Sequence, residues 1–146
     1  MTDDSAVVRV DLARPPWLLD PVISIGDAAK LLDLPENTLS HWLAMAKALG
    51  VPLHQKISGS RRLTPHSVYV AGVLASLYRA RFPASDEVFI GAHRATHRAG
   101  VPVLPHLFES VDFSHSKADG KPVARALVDL SAVWLSLQSD LERLAT

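Results

Sequence analysis

ISIGDAAKLLDLPENTLSHWLAMAKALGVPLHQKISGSRRL, residues 23–63, is the stretch that decides the fold. Ser24 is a candidate N-cap, with Asp27 three residues on, for a helix from about Ile25 to Leu32. Ala28, Leu31 and Leu32 give that helix its apolar face, and Ala29 allows close packing. Leu34-Pro35 ends the following turn. Pro35 is tolerated near the start of the next helix, where a missing N–H costs nothing. A second helix is predicted from about Glu36 to Leu49, with Leu39, Trp42, Leu43 and Ala46 as its buried stripe at helical spacing. Asn37, Thr38, Ser40, His41 and Ala44 are left to face outward near its beginning, and Gly50 stops it. Val51 to Ile57 then reads as a strand, Ser58-Gly59-Ser60 as a tight turn, and Arg61-Arg62-Leu63 as the return strand.

Working outward, residues 1–20 read as an arm: Arg14-Pro15-Pro16 stiffens it, Trp17, Leu18 and Leu19 dock it, and the run from Val7 to Ala13 is a candidate short strand. Thr64 caps the next helix, with Pro65 at its first position, and the apolar face from Val68 to Tyr78 carries it to about Arg81. Phe82-Pro83 breaks it. Ser85 caps another helix, with Asp86 and Glu87 in the first turn, running on to Gly100. Val101 to Phe113 reads as extended and His115 to Gly120 as a polar loop. A final helix is expected from Val123 onward. Leu127, Leu130, Trp134, Leu137, Leu141 and Leu144 alternate spacings of three and four along it, a heptad seam suited to packing within the subunit or across a dimer axis, and they are the candidate dimerisation residues. The expected fold is mainly α with a small β-hairpin. Its organisation is an arm at 1–20, a central domain at 21–99, and an extended segment with a dimerisation helix at 100–146.

The chain has 146 residues, of which 48% are hydrophobic, enough to bury a core. The absence of cysteine excludes disulfides, thiolate metal sites and cysteine nucleophiles, and is compatible with a reducing cytoplasm. No apolar run approaches the roughly 20 residues of a membrane span. Asp3 and Asp4 do not fit an export signal, so a cytoplasmic, nucleoid-associated protein without a membrane partner is expected. Net charge is zero overall, yet residues 36–98 hold 8 Lys/Arg against 3 Asp/Glu, while the segments on either side are net negative. Phosphate binding follows such local charge more than the total.

A second helix able to enter a major groove, followed by a basic ribbon able to touch backbone, is a recurrent way of reading duplex DNA. The candidate DNA-binding residues are Asn37, Thr38, Ser40 and His41 on the helix, with His54, Lys56, Ser58, Ser60, Arg61 and Arg62 on the ribbon. Lys47 reads as a solvated charge. The stretch from Ile23 to about Leu77 resembles the winged helix-turn-helix of the MerR and excisionase-like regulators. The residues that carry the likeness are Ile25 to Ala29 in the first helix, Leu34 to Leu39 at the turn, and Trp42 at the aromatic position. Gly59-Ser60-Arg61 with Leu63-Thr64-Pro65 matches the wing and its exit. The resemblance implies sequence-specific binding of a duplex operator by a homodimer that controls transcription, and a C-terminal dimerisation helix. Ser40 and His41 depart from the arginine and aromatic common in that family, and Leu63 stands where a tyrosine is common. The segment between Trp42 and the wing is longer than usual. With no cysteine, the family's metal or redox sensor is not carried over.

Other chemistry lacks the partners it needs. His93 and His97 are four apart on a helix, a spacing that can hold a metal, but no acidic or thiol partner lies nearby in sequence. Ser58-Gly59-Ser60 is too short for a P-loop and lacks its lysine. Asp112, Ser114 and His115 adjoin in sequence, whereas catalytic triads converge from separate segments. Neither an enzyme nor a cofactor is expected. The alternative to a DNA-binding regulator is a protein-interaction adaptor on the same fold, of the antitoxin or phage accessory type.

Overall fold

A serine hydroxyl opens the first helix. Ser24, in a short strand β1 (Ile23–Ser24), accepts the Asp27 N–H at 3.1 Å and starts α1 (Ile25–Leu31). The computed structural model describes residues 10–146. The first nine residues of the expected arm, with the Val7–Arg9 part of its candidate strand, lie outside the described residues. From Val10 the chain runs beside residues 106–107: Leu107 N–H donates to Val10 O at 2.8 Å, and Asp11 bridges His106. Trp17 and Leu18 then dock in the core, while Leu19 stays exposed.

The end of α1 is closed by two backbone bonds, Asp33 N–H to Lys30 O and Leu34 N–H to Ala29 O. This closure needs a left-handed residue, supplied by Asp33 at φ 54°. Then α2 (Glu36–Ala48) follows, with Pro35 at its N-cap and no side-chain cap. Leu39, Trp42, Leu43 and Ala46 are its buried residues, as the periodicity requires. Gly50, at φ 78°, closes its C-terminus in the same two-bond manner. Beyond it, β2 (Gln55–Ile57) and β3 (Ser60–Leu63) form a hairpin. Ser58 and Gly59 both have positive φ, the two-residue turn whose twist suits a tight hairpin. β1 pairs with the other side of β3, giving a three-stranded antiparallel sheet in the order β1-β3-β2.

Thr64 Oγ1 accepts the Ser67 N–H at 3.0 Å and opens α3 (Pro65–Arg79), the central helix. The next helix, α4 (Asp86–Thr96), stops four residues short of the expected Gly100. Ala99 and Gly100, at φ 52° and 78°, instead turn a hairpin between β4 (His97–Arg98) and β5 (Val101–Pro102). The larger correction is in the C-terminal third. Residues expected to open the final helix form a strand, β7 (Pro122–Asp129), paired antiparallel with β6 (Ser110–Ser116). The alternation in VARALV is that of a strand, with Val123, Arg125 and Leu127 exposed. Leu127 resembles the next turn of a helix only because it stands three residues before Leu130. The helix itself, α5 (Leu130–Ala145), begins where the Asp129 carboxylate accepts the Ala132 N–H at 3.0 Å.

The core forms where α5 crosses α3. A Cβ on Gly72 would stand 2.9 Å from Leu137 Cδ1 and 3.1 Å from Val133 Cγ1, so a glycine is what lets the two helices approach. Trp134 is fully buried against Trp17 and Tyr69, with ring centroids 6.3 and 5.8 Å away. The heptad seam is therefore filled within the subunit. Leu130, Trp134, Leu137 and Leu141 are buried, Leu144 is half-buried, and Leu127 is not on the helix at all. Of the two packings open to that seam, within the subunit or across a dimer axis, the described residues show the first: those side chains cover α3 of their own chain. The boundary expected after residue 99 falls inside the β4–β5 turn, and packing runs across it. Among the described residues, five helices with small antiparallel sheets make a mixed α/β fold, with more strand than the mainly α expectation.

Candidate nucleic-acid interface

The buried stripe of α2 decides what its other side can do. Asn37, His41, Ala44, Lys47 and Ala48 are exposed, and Thr38 and Ser40 sit half-buried at the margins. Among the described residues, the middle of this face is open: Ala44 occupies it and is exposed. The hairpin lies against one flank. Arg61 Nη2 donates to Ser40 Oγ at 3.2 Å, a contact between β3 and α2.

Strand alternation separates the two adjacent arginines. Arg61 shares a face of β3 with Leu63, which is fully buried, and so turns toward α2. Lys56 pairs directly with Arg61 and belongs to the same face. Arg62 points the other way, in register with Gln55 on one side and Ser24 on the other. Ser58, Gly59 and Ser60 form the exposed tip. Helix and ribbon residues expected to act together are thus adjacent for Ser40, Arg61 and Lys56. Arg62 occupies the opposite side of the ribbon.

His54 reports the local electrostatics. Its pKa is lowered from the usual 6.5, first by partial burial and then by the positive charges of Arg61, Lys47 and Lys56. The histidine is therefore neutral near pH 7, and the cations form one cluster around it. Lys47, which reads in sequence as a solvated charge, belongs to that cluster; its one signal is its place two turns after Ser40, on the same flank. Glu36, at the first turn of α2, places one carboxylate near the interface; it favours the helix dipole and opposes an approaching phosphate.

The histidine pair considered for a metal does something else. The His93 and His97 rings stack with centroids 3.9 Å apart, and His97 Nδ1 donates to the His93 carbonyl at 2.9 Å. That nitrogen is engaged, and stacked rings do not aim their nitrogens at a common ion. The Asp112, Ser114 and His115 run lies along β6, where Asp112 pairs with Arg125 at 3.5 Å and His115 faces the opposite side from Asp112 and Ser114.

Over 68 residues the chain is 41% identical to the HTH-type transcriptional regulator LinR of Sphingobium indicum, a match covering 44% of this chain and 22% of that protein. The chain thus spans about a fifth of the length of that relative. A helix, a turn and a helix stand here at Ile25–Ala48. No family model and no solved structure matches. No helix among the described residues is long and apolar enough to cross a membrane.

Proposed function

We propose that this chain binds duplex DNA and regulates transcription, as a winged helix-turn-helix protein of the MerR-like kind. In this reading α2 enters the major groove with Asn37, Thr38, Ser40 and His41 at base edges or phosphates. The β2–β3 hairpin is the wing, and Lys56, Arg61 and Arg62 contact the flanking backbone. The observation that carries the reading is the Arg61–Ser40 hydrogen bond, which makes helix and hairpin one water-facing surface. The cation cluster around His54 and the partial identity to a transcriptional regulator support it. The chain acts as a binding protein and not as an enzyme, in the cytoplasm with the nucleoid. As a homodimer it would set two α2 helices about one DNA turn apart, roughly 34 Å, on a two-fold operator.

Fluorescence anisotropy with fragments of the host genome tests this. Binding is expected at low salt, with the logarithm of affinity falling linearly against the logarithm of salt concentration. Replacing Arg61 and Arg62 together by alanine should reduce both affinity and slope. No binding at low salt, or binding unchanged by that double substitution, overturns the reading.

A further inference from the structure

Among the described residues, the outer edge of β7 has no strand beside it: β6 and β7 form a two-stranded sheet. In an antiparallel ladder, alternate residues direct their N–H and C=O groups toward the partner strand and away from it. Leu130 N–H donates to Glu109 O at 2.8 Å. Continuing that alternation through the register puts Val128, Ala126 and Ala124 in bonded pairs and turns the backbone of Leu127 and Arg125 outward. The corresponding edge of β6 is covered by α4, where Ser116 donates from its N–H and its hydroxyl to the Glu87 carboxylate at 3.0 and 3.1 Å. Among the described residues, the β7 edge makes no backbone hydrogen bond to another element.

Free edges are normally blocked by lysine, central proline or a bulge. Here Pro122 stands at the very start of β7, and the one irregularity lies at the far end, between His115 and Ser116. Leu127, two residues before the end of β7, stands 69% exposed. An apolar groove of about 270 Å³, lined by Leu77, Ala80, Ala126, Ala132 and Val133, runs alongside. Arg125, Leu127 and Asp129 alternate positive, apolar and negative, a pattern complementary to itself when run antiparallel.

We propose that β7 pairs with β7 of a second copy of this chain, antiparallel and centred on Leu127, extending the β6–β7 sheet across a two-fold axis. Leu127 then faces Leu127, and Arg125 of each copy faces Asp129 of the other, the isologous arrangement of a two-fold dimer. Asp129 Oδ1 is engaged by the Ala132 N–H and the Ser131 hydroxyl, and its second oxygen is available to the arginine. A two-residue slip would set Leu127 against Arg125, so charge fixes the register. This interface stands whether or not the chain binds DNA, and it names the surface behind the dimer of the preceding proposal.

Sedimentation velocity on the full chain without DNA tests it first. The wild type should be dimeric at micromolar concentrations. Leu127→Lys should be monomeric with an unchanged circular dichroism spectrum, and Arg125→Glu should weaken the dimer several-fold. Because the chain has no cysteine, Leu127→Cys gives a single thiol on the axis. Cα atoms facing across such a pair stand about 5.5 Å apart, within disulfide range. Mild oxidation should yield a covalent dimer from Leu127→Cys and not from Leu135→Cys, on the exposed side of α5. A monomeric wild type overturns the proposal, as does cross-linking through Leu135→Cys alone. If Leu127→Lys does not fold, the cysteine pair decides.

Discussion

Arg61 and Ser40 lie 21 positions apart in the chain and 3.2 Å apart in space, joined by a guanidinium-to-hydroxyl hydrogen bond. The bond occupies a lone pair of the serine oxygen and leaves its proton free to donate outward. It also leaves most of the guanidinium's five donors unused. Arg61→Ala should weaken duplex binding by about 1–3 kcal/mol and reduce the salt slope by about 0.9. Ser40→Ala should lower affinity at an unchanged slope, since it removes position and not charge. A salt series by anisotropy separates the two, and equal slopes for wild type and Arg61→Ala would remove Arg61 from the interface.

Gly72 sets the approach of α3 to α5. Alanine there gains helix propensity of about 1 kcal/mol. Its methyl must also displace the Leu137 and Val133 side chains, which stand 2.9 and 3.1 Å from the added carbon. Overpacking of that kind costs about 1–3 kcal/mol, so net destabilisation is expected, larger for Gly72→Val. Urea unfolding measures it, and a midpoint raised by Gly72→Ala would mean that the crossing has slack.

His66 is buried at the start of α3, and its Nε2–H is shared between the Thr96 and Val103 carbonyls, both at 3.0 Å. Burial lowers its pKa to about 4, against the pull of those two hydrogen bonds. The unfolded chain protonates this histidine near 6.5 and the folded chain only near 4. Its contribution is therefore complete above pH 6.5 and declines as pH falls from 6.5 to 4, by up to roughly 3 kcal/mol. His93, also lowered by burial, adds in the same direction. His66→Phe should be less stable at neutral pH, because two carbonyls lose their donor, and should show a flatter profile across that window. Chemical unfolding at a series of pH values reads both effects.

Asp129 caps α5, and its pKa is lowered by the Ser131 hydroxyl and the Ala132 amide. Asp129→Ala should cost about 0.5–2 kcal/mol, while Asp129→Asn, a comparable cap, should cost far less. The lowered pKa makes this contribution complete above the usual carboxylate range and lost as pH falls below it. Thermal melts of the two variants at neutral pH give the comparison.

The helical elements around the interface were legible because local chemistry and packing agree there. Leu39, Trp42, Leu43 and Ala46 mark one face of α2, Ser24 and Thr64 cap where they should, and Gly50 ends the helix it follows. The divergence of Arg61 from Arg62 was also readable, since Leu63 fixes which way the alternation runs. The β6–β7 hairpin was hidden by coincidence: Leu127 fits a heptad that truly begins at Leu130. Ala99-Gly100 was hidden because a single glycine after a helix reads as its stop and not as a hairpin turn. His66 gave no signal, because its acceptors are carbonyls 30 and 37 residues further along.

Trp134 fills the space between Trp17 and Tyr69, and Arg79 Nη1 donates to the Leu32 carbonyl at the end of α1. The α1–α2 pair is consequently not a detachable module. A fragment stopped at residue 99 would present a bare apolar trough in place of the tryptophan, and it would self-associate through that trough before it could be assayed. Deletion mapping from the C-terminus should lose solubility first, with recognition lost only as a consequence.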